Sequence, residues 1–142
     1  MPRIIRGGLI QATLSEPGNS PIEKIKKSMI DKHVALIEQA AGKGAQVVCL
    51  QELFYGPYFC CDQDTKWYSM VEKIPEGPTT KLMCDLAKRL KLVLVVPMYE
   101  EDLPGIYYNS AAVINADGHP TCGPRLLGEV FLPPREYGIP GV

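Results

Sequence analysis

The chain has 142 residues, 46% of them hydrophobic, and a formal net charge of -1 at pH 7. That is enough apolar material for one domain with its own core, and the charge balance carries none of the basic excess that binds nucleic acid. Met1 to Thr13 lacks the apolar centre and small-residue cleavage site of a secretion signal, and no apolar run reaches the length of a membrane span, so a cytoplasmic location is expected.

In chain order, Arg3 to Thr13 reads as a first strand, with Ile4, Ile5, Leu9 and Ile10 around Gly7 and Gly8. Glycines inside a strand allow a neighbouring backbone to come close, which predicts a central place in a sheet. Pro17-Gly18-Asn19 is a turn cluster, and Ser20-Pro21-Ile22-Glu23 predicts a capping box with proline at the first helical position. The helix carries an apolar stripe through Ile22, Ile25, Met29, His33, Leu36, Ile37 and Ala40, and Gly42 and Gly44 end it. His33 beside that stripe reads as a packed or hydrogen-bonded residue with no catalytic role.

Ala45 to Leu50 predicts a buried strand, after which the chain turns polar at Gln51-Glu52 and enters an aromatic, Gly-Pro-containing loop. Glu52 thus stands just past a strand's C-terminal end, where α/β sheets collect their ligands and where a carboxylate can do acid/base work. Cys60 to Lys73 is mixed and polar, with Trp67 and Tyr68 as anchors of a short helix. Glu76-Gly77-Pro78-Thr79 opens a second helix with a stripe of Leu82, Met83, Leu86, Ala87 and Leu90, and Lys88, Arg89 and Lys91 suit its C-terminal dipole. Leu92 to Met98 and Tyr108 to Asn115 are two further strands, paired antiparallel across the acidic link Glu100 to Gly105. The five cysteines, Cys49, Cys60, Cys61, Cys84 and Cys122, are an odd number without zinc-type spacing, which predicts free thiols and no metal.

Four segments carry a family resemblance: IIRGGLIQAT at Ile4 to Thr13, GAQVVCLQELFYGPYF at Gly44 to Phe59, EGPTTKLMCDLAKRLKLVLVVPMYEE at Glu76 to Glu101, and YYNSAAVINADG at Tyr107 to Gly118. In order and spacing they resemble the N-terminal half of a nitrilase-superfamily carbon-nitrogen hydrolase of the β-ureidopropionase and N-carbamoylputrescine amidase branch. The resemblance implies an α/β chain that forms the first half of a nitrilase-type α-β-β-α sandwich, truncated, with one sheet face left uncovered. It also implies a Glu-Lys-Cys triad that cleaves linear amides, N-carbamoyl amino acids or amines through a thioester, without metal or organic cofactor. Glu52 takes the place of the general base. Phe54, Tyr58 and Phe59 become walls of the substrate pocket, against the alternative that they only pack the loop onto the core. Intact members assemble as homo-oligomers, and the partner here is a small amide or N-carbamoyl substrate, with no nucleic acid and no membrane.

The expected division is residues 1–118 as the N-terminal part of the hydrolase domain and residues 119–142 as an aberrant tail, which holds five of the thirteen prolines and four of the thirteen glycines. The family's lysine segment and its C-Y-D-R-type cysteine elbow have no counterpart, and no lysine follows Lys91. Cys122, in Pro-Thr-Cys-Gly-Pro, lacks the strand that precedes such an elbow. A shifted reading frame accounts for the tail. Codons for the family's Gly-Phe-Trp-Glu-Lys-Phe, read two bases on, translate as Leu-Leu-Gly-Glu-Val, the sequence of Leu126 to Val130. The chain therefore reads as an inactive fragment of a carbon-nitrogen hydrolase, with a truncated form that only binds full-length subunits as the alternative. A flavodoxin-like binding domain is disfavoured, because Thr13-Leu14-Ser15-Glu16-Pro17 offers no phosphate-binding nest after the first strand.

Overall fold

The unbroken three- and four-residue apolar spacing after Pro21 forms α1 (Ile22–Gly42), which buries Ile25, Met29, His33 and Ile37 along one face. The computed structural model describes residues 4–58 and 64–121. The expected capping box is absent: Pro21 is itself the N-cap, and no side chain caps the helix. Its carbonyl accepts from the amides of Lys24 and Ile25 at 3.0 Å each, while the Ser20 amide bonds the Pro17 carbonyl at 2.9 Å and so belongs to the preceding turn.

The strands are β1 (Gly7–Leu9), β2 (Val47–Cys49), β3 (Val93–Leu103), β4 (Ile106–Ile114) and β5 (Pro120–Thr121). They form one sheet in the order β1-β2-β3-β4-β5, parallel from β1 to β3 and antiparallel from there. β1 is therefore an edge strand rather than a central one. Its glycine serves the helix layer instead, since a Cβ at Gly8 would lie 3.2 Å from Val48 Cγ2 and 3.6 Å from Ala40 Cβ on α1. The acidic link is also shorter than its composition suggests. β3 runs through Glu100, Glu101 and Asp102, and the reversal is confined to Pro104 and Gly105. Glu100 remains in the ladder because it is buried and accepts a hydrogen bond from Ser110 Oγ at 2.5 Å. β5 continues the sheet past Gly118, and the expectations for Cys60, Cys61, Cys122 and the rest of the tail lie outside the described residues.

The second helix, α2 (Pro78–Leu90), starts with proline in its first turn and ends at Lys91 in the left-handed region, φ 54°. Its inward face is Thr79, Thr80, Met83, Leu86 and Ala87, whereas Leu82, expected in the stripe, is 41% exposed. The Thr79 amide in its first turn is met from outside the helix. Glu72 accepts from Thr79 N at 2.8 Å and from Thr79 Oγ1 at 2.6 Å. Lys26 of α1 pairs with the same carboxylate at 2.6 Å and lies 4.8 Å from the Tyr55 ring centre. Lys26 also donates to Met70 O at 3.0 Å, which ties both helices to the 3-10 helix Thr65–Met70, itself burying Trp67 and Met70.

Strand alternation sorts the sheet into two faces. Val48, Leu94, Val96, Met98, Ala112 and Ile114 are buried beneath the helices. On the other face Val47, Cys49, Val93, Val95, Pro97, Ala111 and Val113 are only half-buried, and Leu9 is 81% exposed. Leu9→Lys should therefore change stability by no more than about 0.5 kcal/mol, while Ile25→Ala should cost about 2–5 kcal/mol in urea unfolding. Equal losses from the two substitutions would show that the second face is covered in solution.

Candidate active site

β2 stops early, and the turn after it builds the site. The last registered pair of β2 is Cys49 with Val95, and the Leu50 amide still donates to the Val95 carbonyl at 3.0 Å. Leu53 then takes φ +49°, a left-handed backbone uncommon for a branched residue, and Gly56 N closes the turn on Leu53 O at 3.1 Å. This twist sends Leu53, Phe54 and Tyr55 inward, where they are at most 2% exposed, and leaves Glu52 on the surface.

β3 runs on without β2 beside it, so its backbone needs other partners. The Tyr55 hydroxyl supplies them: it accepts from Tyr99 N at 2.9 Å and donates to Tyr99 O at 3.0 Å. Glu72 N also donates to Tyr99 O, at 3.1 Å, and Glu101 N to Glu72 O at the same distance. Burial pushes the Tyr55 phenol well above its ordinary acidity range, so it stays protonated as this double role requires. A Cβ at Gly56 would come 2.6 Å from Met70 Cε, the end of a flexible side chain that would have to shift.

The Glu52 carboxylate receives a hydrogen bond from Asn109 Nδ2 at 2.5 Å. Asn109 pairs with Tyr99 across the β3 and β4 ladder and shares its face with Ala111 and Val113. Glu52 therefore stands beyond the ends of β1 and β2, at the margin of the face that α1 and α2 leave uncovered. Among the described residues it forms no ion pair. Of the three loop aromatics, Phe54 is enclosed in the core, with its ring 5.0 Å from His33 and 5.3 Å from Tyr55, both edge-on. Tyr58 is 51% exposed, and Phe59 lies outside the described residues.

Cys49 and Cys84 are free thiols. Burial, with Asp85 adding, raises the Cys84 thiol above its ordinary value and keeps it protonated at neutral pH. Among the described residues no cluster of His, Cys, Asp and Glu is arranged to hold a metal, and no helix is long and apolar enough to cross a membrane. Sequence reasoning overlooked Asn109, Gln51 and Tyr55. Asn109 had a readable signal, as a polar residue sharing a face with Ala111 and Val113 in an otherwise apolar strand, whereas Tyr55 had none.

Residues 18–125 match the family model for carbon-nitrogen hydrolases. The chain belongs to the carbon-nitrogen hydrolase family. It is 31% identical over 120 residues to the beta-ureidopropionase of Arabidopsis thaliana, covering 83% of this chain and 29% of that protein. With the N-carbamoylputrescine amidase of Solanum lycopersicum it shares 41% identity over 113 residues, which is 73% of this chain and 37% of the relative. A solved carbon-nitrogen hydrolase from Helicobacter pylori G27 superposes with a TM-score of 0.68 at 30% identity, over 82% of this chain and 37% of that one. The chain thus spans roughly a third of the length of these relatives, and its α/β architecture is that of the first half of the nitrilase-type sandwich.

Tyr55→Phe keeps the ring but strands the buried Tyr99 amide, while the Tyr99 carbonyl retains Glu72. The expected loss is about 1–3 kcal/mol in urea unfolding. An unchanged midpoint would mean that another group takes over the amide.

Proposed function

We propose that Glu52 is the general base of a hydrolase acting on non-peptide carbon-nitrogen bonds, with linear amides, N-carbamoyl amino acids or N-carbamoyl amines as the substrate class. The observation that carries the reading is the Glu52 turn itself. A carboxylate at a β2 C-terminus is held out by a left-handed residue, anchored through Tyr55 and oriented by Asn109, in a chain of this family. In the mechanism the family resemblance implies, Glu52 takes the proton of a cysteine thiol and the sulfur attacks the substrate carbonyl carbon. A lysine holds the resulting oxyanion. The carbon-nitrogen bond breaks as the amine leaves with the proton from Glu52, and a thioester remains. Glu52 then takes a proton from water, whose oxygen displaces the sulfur and releases the acid. Tyr58 fits the role of a pocket wall, with Phe54 supporting the turn from the core side.

The lysine and cysteine of this scheme have no motif counterpart in the 142 residues. The half-exposed apolar sheet face favours the second reading, a catalytically incomplete form that binds full-length subunits. Within residues 119–142 a shifted frame is read beyond the family match, which ends at residue 125, and resequencing that finds the same open frame in independent isolates would overturn this.

The chain by itself should release no ammonia above background from N-carbamoyl-β-alanine or N-carbamoylputrescine, and measurable turnover would refute the requirement for the missing groups. In a full-length enzyme carrying residues 1–118 ahead of the family's lysine and cysteine segments, Glu52→Gln should lower kcat by about two orders of magnitude or more. Near-wild-type turnover there would remove Glu52 from the chemistry.

A further inference from the structure

The Asn109 carboxamide has more hydrogen-bonding capacity than its bond to Glu52 uses. A carboxylate only accepts, so Asn109 turns its nitrogen toward Glu52 Oε1, at 2.5 Å, and carries its Oδ1 on the other arm of the amide plane. Both lone pairs of that oxygen remain, and among the described residues Oδ1 accepts no hydrogen bond. Glu52 Oε2 is in the same condition.

Packing does not account for this residue. Asparagine suits a strand poorly, yet position 109 lies inside β4, on one face with Tyr107, Ala111 and Val113 and opposite Tyr99. Glu52 is exposed and Asn109 half-buried, so water could serve both groups and their bond adds little to stability. Two oxygens, Glu52 Oε2 and Asn109 Oδ1, thus flank one hydrogen bond with no donor set between them among the described residues. Such a pair attracts a group that brings N–H donors and repels one that brings only lone pairs. The nitrogen of a primary amide or a terminal carbamoyl group carries N–H donors, whereas an ester oxygen and a nitrile nitrogen carry none.

We infer that Asn109 is a specificity-determining residue that contacts the substrate: its Oδ1 accepts an N–H of the scissile nitrogen and selects primary amides and terminal carbamoyl groups over esters and nitriles. This rests on the reading of Glu52 as the general base. In that scheme the nitrogen leaves with the proton that Glu52 took from the thiol, and an N–H held by Asn109 keeps the nitrogen beside that proton. Asn109 Nδ2 meanwhile fixes Glu52 Oε1 and leaves Oε2 to move protons. One rigid amide plane therefore orients the base and reads the leaving group together. Tyr99 and Tyr107, on the same face, limit the water that competes for Oδ1 and so strengthen the contact.

The test has two readouts. In the 142-residue chain, or in its complex with a full-length homologue if the chain purifies only in that form, the side-chain amide signals of Asn109 are followed by nitrogen-proton correlation NMR. Butyramide should shift them on titration, and methyl butyrate, which has no N–H, should not. In the full-length enzyme carrying residues 1–118 ahead of the family's lysine and cysteine segments, Asn109→Ala should lower the ratio of kcat/KM for butyramide to that for methyl butyrate by about tenfold. Asn109→Val, a good strand former, serves if the first variant does not fold. A structural role alone would lower both substrates together and leave the ratio unchanged. Because the ratio compares two substrates in one protein, it stands apart from Glu52→Gln, whose near-wild-type turnover would sink the general-base reading by itself. Equal shifts from amide and ester, no shift from either, or an unchanged ratio in the Asn109 variants would overturn the inference.

Discussion

A single hydroxyl permits the architecture around Glu52. Once β2 ends at Cys49, β3 needs partners on that side, and an unpaired buried amide or carbonyl is costly. The Tyr55 hydroxyl fills both roles at Tyr99, so the chain can leave the sheet at Leu50 without destabilising the strand it leaves. The departure brings Glu52 to a position where Asn109, projecting from the longer β4, can reach it. Difference in strand length, rather than a long flexible loop, brings the two side chains together.

The same economy governs the helix layer. Glu72 accepts from the Thr79 amide and hydroxyl at the α2 N-terminus, and its charge is matched by Lys26 from α1. A buried carboxylate is tolerable there because both of its oxygens are occupied and its counter-charge is fixed. Gly77 is part of this arrangement, since a Cβ at that position would lie 2.6 Å from a Glu72 carboxylate oxygen and equally close to the Lys73 carbonyl. The helices α1 and α2 are thereby fastened to one side of the sheet, while Tyr68 of the 3-10 helix reaches the other, where its ring stacks on Tyr107 at 4.7 Å. The other side, where Glu52 and Asn109 stand, is left apolar and partly open.

That one-sidedness bears on function. The relatives are about three times as long as the matched region. Under the proposed reading of Glu52, the described residues supply one corner of a reaction centre together with the elements that orient it. Rigid support for that corner comes from the Tyr55 phenol, which burial keeps neutral and so able to donate to Tyr99 O while accepting from Tyr99 N.

Periodicity alone determined α1, α2, the two central strands and their antiparallel continuation, because burial of one face is written into three- to four-residue and two-residue spacings. The motif around Glu52 was legible for a related reason, since a polar pair directly after an apolar strand marks where the chain leaves the core. Other features depended on groups distant in sequence. The edge position of β1, the loss of the Ser20 capping box, the exposure of Leu82 and the strand character of Glu100 to Asp102 result from which surfaces meet in three dimensions. So do the inward turn of Phe54, the bond between Tyr55 and Tyr99, and the link from Asn109 to Glu52 across 57 positions. Spacing encodes which side of an element is buried, but hydrogen-bond partners depend on where strands end relative to one another, and only the assembled sheet decides that.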